Sequence, residues 1–213
     1  MNPIKLIGIG RSKYLYDTIK YLASEGLIFT AIITDKPNNE YEVSVKDFNE
    51  LANNVGALFF QTNNLNQNEI KKLIRSNSIK IAISVNWKYK ITSEFIHLFE
   101  LGILNFHMGN LPNYKGNATP NWSIINGESH IFANVHKMVK EIDAGDVISK
   151  KSIEINNNTH VNDIITQSQA LAPNLFKEAI TKILNNPNYY LDKGSKKGLR
   201  CYPRLPIDSK INW

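Results

Sequence analysis

Two polar side chains interrupt an apolar stretch near the middle of the chain. The sequence GILNFHMGNLPNYKG, residues 102–116, opens with an apolar run that predicts a buried strand, and Asn105 and His107 lie two positions apart within it. Because side chains alternate between the two faces of a strand, the amide and the imidazole share one face, about 6–7 Å apart. Burying either group without a partner costs about 1–3 kcal/mol. We therefore predict that another side chain or a ligand binds to them.

A carboxylate farther along the chain completes a candidate site. Asp143 precedes an Ala-Gly turn and lies seven residues after His136. From such a turn it can reach over the edge of a sheet toward His107, where it would orient the imidazole and raise its basicity. A lone buried histidine is more often structural than catalytic, and a lone aspartate here is more often a turn residue. The amide, imidazole and carboxylate together favour a functional site.

The elements that must position these groups alternate along the chain. Apolar, β-branched runs separated by amphipathic segments predict a Rossmann-like α/β fold, a mostly parallel sheet with helices on both faces. The predicted strands are residues 4–10, 29–34, 57–62, 79–85 and 103–108. The predicted helices are residues 14–26, 44–56, 67–77 and 92–100, the second opened by a capping box of Ser44 and Asp47. Asn105 and His107 then fall at the carboxyl end of the fifth strand, where such sheets bind ligands.

The pattern changes after residue 128. Residues 130–141 and 146–155 are longer and alternate between apolar and polar, which predicts antiparallel strands at the edge of the sheet. Helical periodicity returns over residues 159–185, where Pro173 should kink the helix or begin a new one.

A short helix is predicted ahead of the edge strands. Thr119 would be its N-cap, Pro120 its first residue and Gly127 the residue just past its end. With no internal repeat and no linker, we predict one domain over residues 1–190 and a C-terminal tail over residues 191–213.

The loop after the first strand is a candidate anion site. The sequence GIGRSKY lacks the third glycine of the dinucleotide fingerprint and the lysine spacing of a P-loop, and a tight turn explains its two glycines. It nevertheless connects a predicted parallel strand to a helix N-terminus, where open α/β sheets bind anions. We therefore predict that Arg11, Ser12 and Lys13 contact a diphosphate.

Composition restricts the functional classes. No apolar run approaches the roughly 18 residues of a membrane span, and Lys5 and Arg11 interrupt the N-terminal segment. The single cysteine, Cys201, can form neither an internal disulfide nor a zinc site. These features predict a cytoplasmic protein without a metal or a membrane partner. The net charge of +6 could attract a nucleic acid or a nucleotide diphosphate, although scattered lysines favour a solvated basic surface.

Several separately spaced motifs lie within residues 81–155. They are Asn105-x-His107, Leu111-Pro112-x-Tyr114-Lys115-Gly116, Pro120-x-Trp122, Gly127-Glu128 and His136-x6-Asp143-x-Gly145-x-x-Ile148. Together they resemble the core of the 10-formyltetrahydrofolate-dependent formyltransferases. The resemblance implies the formyltransferase fold, with Asn105, His107 and Asp143 as the catalytic residues.

The resemblance also implies how the formyl donor is held. The donor, 10-formyltetrahydrofolate, would lie beside Ile142 and Asp143 and along the backbone of the segment VNWKYK. The predicted contacts in that segment are Val85, Asn86, Trp87, Lys88 and Tyr89. The resemblance also implies a cis peptide bond between Leu111 and Pro112. It implies no metal cofactor.

The residue types suit formyl transfer. A neutral amine attacks the formyl carbon, and the formyl oxygen gains negative charge. His107 would take the amine proton or support the developing charge, a contribution of about 10²–10⁴-fold in rate. The Asn105 amide would donate to the oxyanion, which is worth about 3–4 kcal/mol in other acyl transfers. Asp143, directly or through a water, would pass on the proton and hold the imidazole.

Three branches of the family differ in the acceptor amine. Glycinamide ribonucleotide transformylases carry a Gly-Ser-Asn phosphate loop, unlike GIGRSKY, and methionyl-tRNA formyltransferases carry a further C-terminal domain. The segments GRSKYLYDTI, YEVSVKDFNELA and KGNATPNW resemble instead the nucleotide-sugar N-formyltransferases. In this branch Lys115, Asn117 and Thr119 join the first loop as predicted substrate contacts. The acceptor would be a dTDP-linked amino-dideoxyhexose, such as dTDP-4-amino-4,6-dideoxyglucose, for surface polysaccharide or O-antigen (lipopolysaccharide) synthesis.

The terminal sequence YPRLPIDSKINW resembles a segment that precedes an extra C-terminal element in the sugar and tRNA enzymes. Tyr202 and Trp213 within it predict a homodimer, and no nucleic-acid partner is expected. The alternatives are a methionyl-tRNA or glycinamide ribonucleotide formyltransferase and a non-catalytic folate- or nucleic-acid-binding module. A further alternative is a dinucleotide-dependent oxidoreductase, which is supported by the Gly-x-Gly motif alone.

Overall fold

Strands and helices alternate along a computed structural model that describes residues 4–37, 41–198 and 200–201, the last two by their backbone alone. In these ranges the strands are β1 (Lys5–Gly10), β2 (Ile28–Thr34), β3 (Leu58–Gln61), β4 (Ile81–Val85), β5 (Gly102–Met108), β6 (Lys115–Gly116), β7 (His130–Lys137), β8 (Val147–Glu154) and β9 (Arg200–Cys201). The helices are α1 (Lys13–Ser24), α2 (Val45–Val55), α3 (Asn68–Ser76), α4 (Ser93–Ile96), α5 (Thr119–Ile125) and α6 (Val161–Asn185).

One sheet contains seven of the strands described, in the order β3-β2-β1-β4-β5-β7-β8. The first five run parallel, and β7 and β8 are antiparallel. The predicted Rossmann-like fold with an antiparallel edge is confirmed. The chain moves outward from β1 to β3 and then returns to the other side of β1 with β4. The carboxyl ends of β1, β4 and β5 therefore lie side by side, which is where open α/β sheets bind ligands.

Helices cover both faces of this sheet. α1, α2 and α6 contribute to one apolar core, and α3 and α4 contribute to another on the opposite face. The apolar stripe of α1, formed by Leu15, Ile19 and Leu22, is fully buried. Of the helices in the described ranges, none combines the length and the apolar character needed to cross a membrane.

The start of α2 agrees with the sequence, whereas the start of α5 differs by one residue. The Ser44 hydroxyl accepts from the Asp47 backbone N–H at 3.2 Å, and the Asp47 carboxylate accepts from the Ser44 N–H at 2.7 Å, so the predicted capping box is confirmed. The prediction of Thr119 as an N-cap is wrong. Ala118 is the N-cap of α5 with a φ of 53°, and the Thr119 hydroxyl donates to the carbonyl of Met108.

α6 is one helix that continues through Pro173. The alternative in which Pro173 begins a new helix is therefore wrong. A proline inside a helix removes one backbone hydrogen bond and crowds the preceding turn. Here the helix has buried side chains on both sides of the proline. Ile164 and Ala172 lie before it and Phe176 lies after it. Most helical stability in proteins comes from such packing, which explains why the helix continues.

The segment after α6 returns to the edge of the sheet. The Leu191 N–H donates to the Val147 carbonyl at 2.7 Å, and the Val147 N–H donates to the Asp192 carbonyl at 2.9 Å. The division of the chain into a domain and a tail stays a prediction. Tyr202 and Trp213, on which the dimer prediction rests, lie outside the described residues.

We expect Leu22→Ala to lower the free energy of unfolding by about 2–5 kcal/mol, because truncating a buried leucine leaves a cavity. Leu22 is 0% exposed, whereas Leu184 on α6 is 37% exposed and provides the matched control. Leu184→Ala should cost less than about 1 kcal/mol. Urea denaturation followed by circular dichroism measures both. Equal losses would contradict the packing of α1 against the sheet.

Candidate active site

The end of β5 and the turn after β7 bring the three predicted catalytic side chains together. His107 lies near the end of β5, and Asn105 pairs with His136 across β5 and β7. Asp143 lies in the following turn with a left-handed φ of 48°, which aspartate tolerates better than most residues. Its carboxylate oxygens lie 3.5 Å from His107 Nδ1 and 3.4 Å from His136 Nε2.

Asp143 is a largely buried carboxylate that stays ionised. Its side chain is only 12% exposed. Burial alone raises the pKa of Asp143, but the neighbouring His107 and His136 and the hydrogen bond from the Gly116 N–H outweigh that effect and hold the pKa well below its usual range. The Gly116 N–H lies 2.8 Å from Oδ2. The site therefore contains a fixed negative charge at neutral pH.

His107 is a neutral imidazole with a defined proton position. The charge of Asp143 raises the pKa of His107, as predicted, but burial lowers it more, so the net pKa lies below its usual value. Nε2 lies 2.8 Å from the carbonyl oxygen of Tyr114. Because a carbonyl can only accept, we assign the imidazole proton to Nε2. The free lone pair is then on Nδ1, which faces Asp143.

His136 joins the site from β7, a role that sequence reasoning missed. Its Nδ1 donates to the carbonyl of Lys137 at 3.0 Å, which leaves Nε2 to accept from Asn105 Nδ2 at 3.2 Å. His136 is 1% exposed and therefore fixes the orientation of the Asn105 amide. Its spacing from Asp143, within one motif, was the signal that could have identified it. Although two histidines and a carboxylate meet here, the described ranges contain no cluster arranged to hold a metal ion.

The loop after β5 is anchored so that the Tyr114 carbonyl faces His107. The Leu111–Pro112 bond is cis, as the resemblance implied. The buried Tyr114 hydroxyl donates to the Glu128 carboxylate and accepts from Asn126 Nδ2 at 3.0 Å. Glu128, which belongs to one of the motifs, therefore holds the loop that orients the imidazole.

Part of the predicted folate-binding segment borders a cavity of about 310 Å³. Trp87 and Tyr89 line it with their rings edge to face, 5.8 Å apart, opposite residues 63–66. Its volume and aromatic wall suit a small ligand with a planar ring system. The three predicted catalytic residues do not line this cavity, and neither does Ile142, which is 50% exposed.

Val85, Asn86 and Lys88 of that segment do not line the cavity. Val85 is fully buried, and its carbonyl is so close to Gly10 that a Cβ there would lie 1.9 Å from the oxygen. Asn86 has a left-handed φ of 54°, and its carbonyl accepts from Arg11 Nε at 3.0 Å. Lys88 is exposed. The carbonyls of Val85 and Asn86 therefore contact the last residue of β1 and the loop after it.

The loop between β1 and α1 contains the predicted diphosphate contacts. The Arg11 guanidinium is largely buried and lies 5.3 Å from the centre of the Tyr41 ring. The Ser12 hydroxyl is buried at the N-terminus of α1 and has no hydrogen-bond partner in the described part of the chain. Such a hydroxyl at a helix N-terminus is suited to donate to an anion. Lys13 forms an ion pair with Asp17 at 2.8 Å.

The remaining predicted substrate contacts are placed differently. The Lys115 ammonium is buried and donates to the carbonyl of Ser195 and, at 2.6 Å, to that of Lys197. The Thr119 hydroxyl is also buried and donates to a carbonyl of β5. The polar groups of Lys115 and Thr119 are already bonded inside the protein. This placement does not fit the prediction that the two side chains contact the substrate. Asn117 is exposed beside them.

Comparison with known proteins identifies the family. Residues 4–180 match the family model described as formyl transferase. The methionyl-tRNA formyltransferase of Caldanaerobacter subterraneus is 28% identical over 84% of this chain, and the chain spans 60% of the length of that relative.

Solved structures share the fold at lower identity. The phosphoribosylglycinamide formyltransferase from Anaplasma phagocytophilum has a TM-score of 0.72 and 16% identity, over 93% of this chain and 99% of its own. The N-formyltransferase from Helicobacter canadensis, solved with folinic acid and dTDP-3-aminofucose, has a TM-score of 0.69 and 22% identity, over 98% of this chain and 75% of its own. At these identities the likeness establishes the fold alone. The family model, however, covers most of the sequence, and the chain belongs to the formyl transferase family.

Proposed function

We propose that this chain transfers a formyl group from 10-formyltetrahydrofolate to the amine of a nucleotide-linked amino sugar. The observation that carries the proposal is the convergence of an amide, a neutral imidazole and an ionised carboxylate at the end of β5, with Asp143 Oδ2 3.5 Å from His107 Nδ1. Attack by an amine on a formyl carbon needs an acceptor for the amine proton and a donor for the formyl oxygen. Asp143 and His107 meet the first need, and Asn105 meets the second.

The amine proton passes to His107 at Nδ1, and the imidazolium returns it to N10 of the donor as the bond between N10 and the formyl carbon breaks. An amine becomes positively charged as it attacks, and Nδ1 is the acceptor because Nε2 already donates to the Tyr114 carbonyl. Once protonated, the imidazolium faces the Asp143 carboxylate, which stabilises it by charge. The carboxylate thus offsets part of the effect of burial, which favours the neutral imidazole.

Asn105 donates to the formyl oxygen. One N–H of its amide is directed to His136, and the other reaches only the neighbouring Phe106 carbonyl at 3.2 Å. That second N–H can turn to the formyl oxygen as negative charge develops there. The donor molecule supplies the formyl group, and Trp87 and Tyr89 would hold its ring system.

The loop after β1 supports an acceptor that carries a diphosphate. The Ser12 hydroxyl is buried without a partner in the described residues, and the cationic Arg11 lies next to it. β4 separates β1 from β5, so this loop lies about 10 Å from His107 at the usual strand spacing of about 4.8 Å. A hexose with its amine at His107 and a diphosphate at its other end spans such a distance. The dTDP-3-aminofucose named with the Helicobacter canadensis structure belongs to this class of molecule.

The finer parts of the proposal follow from this acceptor. We infer a dTDP-linked amino-dideoxyhexose, a product used in surface polysaccharide or O-antigen synthesis, and a cytoplasmic location. The homodimer is inferred separately, from Tyr202 and Trp213 in the sequence. Methionyl-tRNA is the second candidate acceptor, supported by the 28% identity to the Caldanaerobacter subterraneus enzyme. Glycinamide ribonucleotide is the third, supported by the fold shared with the Anaplasma phagocytophilum enzyme.

A panel of amines offered with 10-formyltetrahydrofolate tests the acceptor. We expect the protein to formylate dTDP- or UDP-linked amino sugars but not methionyl-tRNA or glycinamide ribonucleotide. Mass spectrometry of the products measures the formylation of each amine. Turnover confined to the last two would contradict the sugar assignment.

In the same assay His107→Asn should lower the rate about 10²–10⁴-fold, because it removes the proton acceptor. The matched control is His97→Asn. His97 is an exposed histidine that directly follows α4, and its substitution should leave the rate unchanged.

The pH profile tests the protonation state of His107. We expect kcat/KM to rise with pH through a midpoint below the ordinary histidine pKa of about 6.5, because burial lowers the pKa of His107 and only the neutral imidazole accepts a proton. Asp143→Asn should move this rise to lower pH, since the carboxylate raises the pKa of His107 against the effect of burial. Using one acceptor for both proteins cancels the titration of the amine itself. A rise that moves to higher pH in Asp143→Asn would contradict the assigned geometry.

A further inference from the structure

The segment after α6 contacts the turn that carries Asp143. We call residues 192–198 the strap. The Gly194 N–H donates to Asp146 Oδ1 at 2.7 Å, and Lys193 pairs with the same carboxylate at 3.1 Å. A Cβ on Gly194 would lie 2.4 Å from the carbonyl oxygen of Ala144. The backbone of the strap therefore lies directly against this turn.

The other end of the strap contacts the loop that carries Tyr114. Gly198 has a φ of 114°, and a Cβ there would lie 2.1 Å from the carbonyl oxygen of Pro112. Immediately after the strap, β9 pairs with β6 in parallel, with Lys115 opposite Arg200 and Gly116 opposite Cys201. The strap thus bridges the two loops on which the hydrogen bonds of His107 and Asp143 depend.

Lys115 fastens its loop to the strap through a buried ammonium. The residue is 5% exposed, and Nζ donates to the carbonyls of Ser195 and Lys197, the latter at 2.6 Å. Burial lowers the pKa of Lys115, while the charge of Asp143 raises it. A buried cation is costly unless its donors are satisfied, so the two carbonyls fix where the loop and the strap must meet.

The neighbours of Lys115 in the sequence are the two residues whose backbone binds the catalytic pair. The Tyr114 carbonyl accepts from His107 Nε2 at 2.8 Å, and the Gly116 N–H donates to Asp143 Oδ2 at 2.8 Å. We propose that Lys115 is a positioning residue for formyl transfer, which holds these two backbone groups in place by binding the strap. The strap then acts on the active site through the two backbone groups that flank Lys115. The kinetic consequence rests on the proposed function, but the structural consequence does not.

Substituting the ammonium tests the role in catalysis. With Lys115→Met we expect kcat to fall about 10–100-fold, because small misplacements of catalytic groups are costly. The KM for the acceptor should change less than about threefold, since no substrate contact is lost. Lys115→Arg, which keeps a cationic donor, should recover part of the rate. The matched control is Lys177→Met, which removes an ion pair of 2.5 Å between α6 and Glu25 and should leave kcat unchanged.

The Gly116 amide proton gives a readout that needs no turnover. In the nuclear magnetic resonance spectrum of the whole protein, a hydrogen bond to a carboxylate shifts this proton downfield. We expect an upfield shift in Lys115→Met, recovery in Lys115→Arg and no shift in Lys177→Met. If the wild-type protein formylates none of the amines and this pattern is still seen, the proposed function fails while the positioning role stands.

Three results would overturn the positioning role. They are an unchanged kcat together with an unchanged Gly116 resonance in Lys115→Met, an acceptor KM that rises at constant kcat, and a loss of rate that follows the thermal stability of the variant alone. If Lys115→Met does not fold, Asp146→Asn loosens the strap at its other end. It should lower kcat at constant KM, and an unchanged kcat would also overturn the proposal.

Discussion

A single buried carboxylate places the strongest constraint on the architecture of the site. An ion removed from water costs several kcal/mol unless donors replace its hydration. Asp143 receives the Gly116 N–H from the loop after β5 and lies against His107 on β5 and His136 on β7. These partners come from separate segments of the chain, so they meet only when the parallel sheet, its antiparallel edge and the loop are all in place. The charge of Asp143 is in turn what allows a buried imidazole to accept a proton.

Irregular backbone around the sheet edge supplies much of the geometry. Asn86, Tyr114, Ala118 and Asp143 all have left-handed φ values between 48° and 55°. Such values are uncommon outside glycine and cluster where structure serves function. Tyr114 has this conformation, and its carbonyl accepts a hydrogen bond from His107. Asn86 has it as well, and its carbonyl accepts a hydrogen bond from Arg11. The catalytic groups and the loop after β1 are therefore linked to the sheet by backbone groups as well as by side chains.

The elements and the three principal side chains were predictable because their signals are local. Apolar runs identify the strands, alternation puts Asn105 and His107 on one face, and the spacing of Asp143 from the edge strand puts it within reach. The net pKa of His107 was not predictable, because it depends on how deeply the folded protein buries the ring. The burial of Lys115 was not predictable either, since its acceptor Ser195 lies 80 residues away in the sequence. Long-range packing likewise explains why α6 continues through a proline.

The central claim is that His107 and Asp143 act as one proton-accepting unit, and a double-mutant cycle tests it most directly. kcat/KM is measured for the wild type, His107→Asn, Asp143→Asn and the protein with both substitutions. Residues that act as a unit lose most of their effect with the first substitution, so we predict that the double variant is about as slow as His107→Asn alone. A double variant whose loss equals the product of the two single losses would contradict the claim.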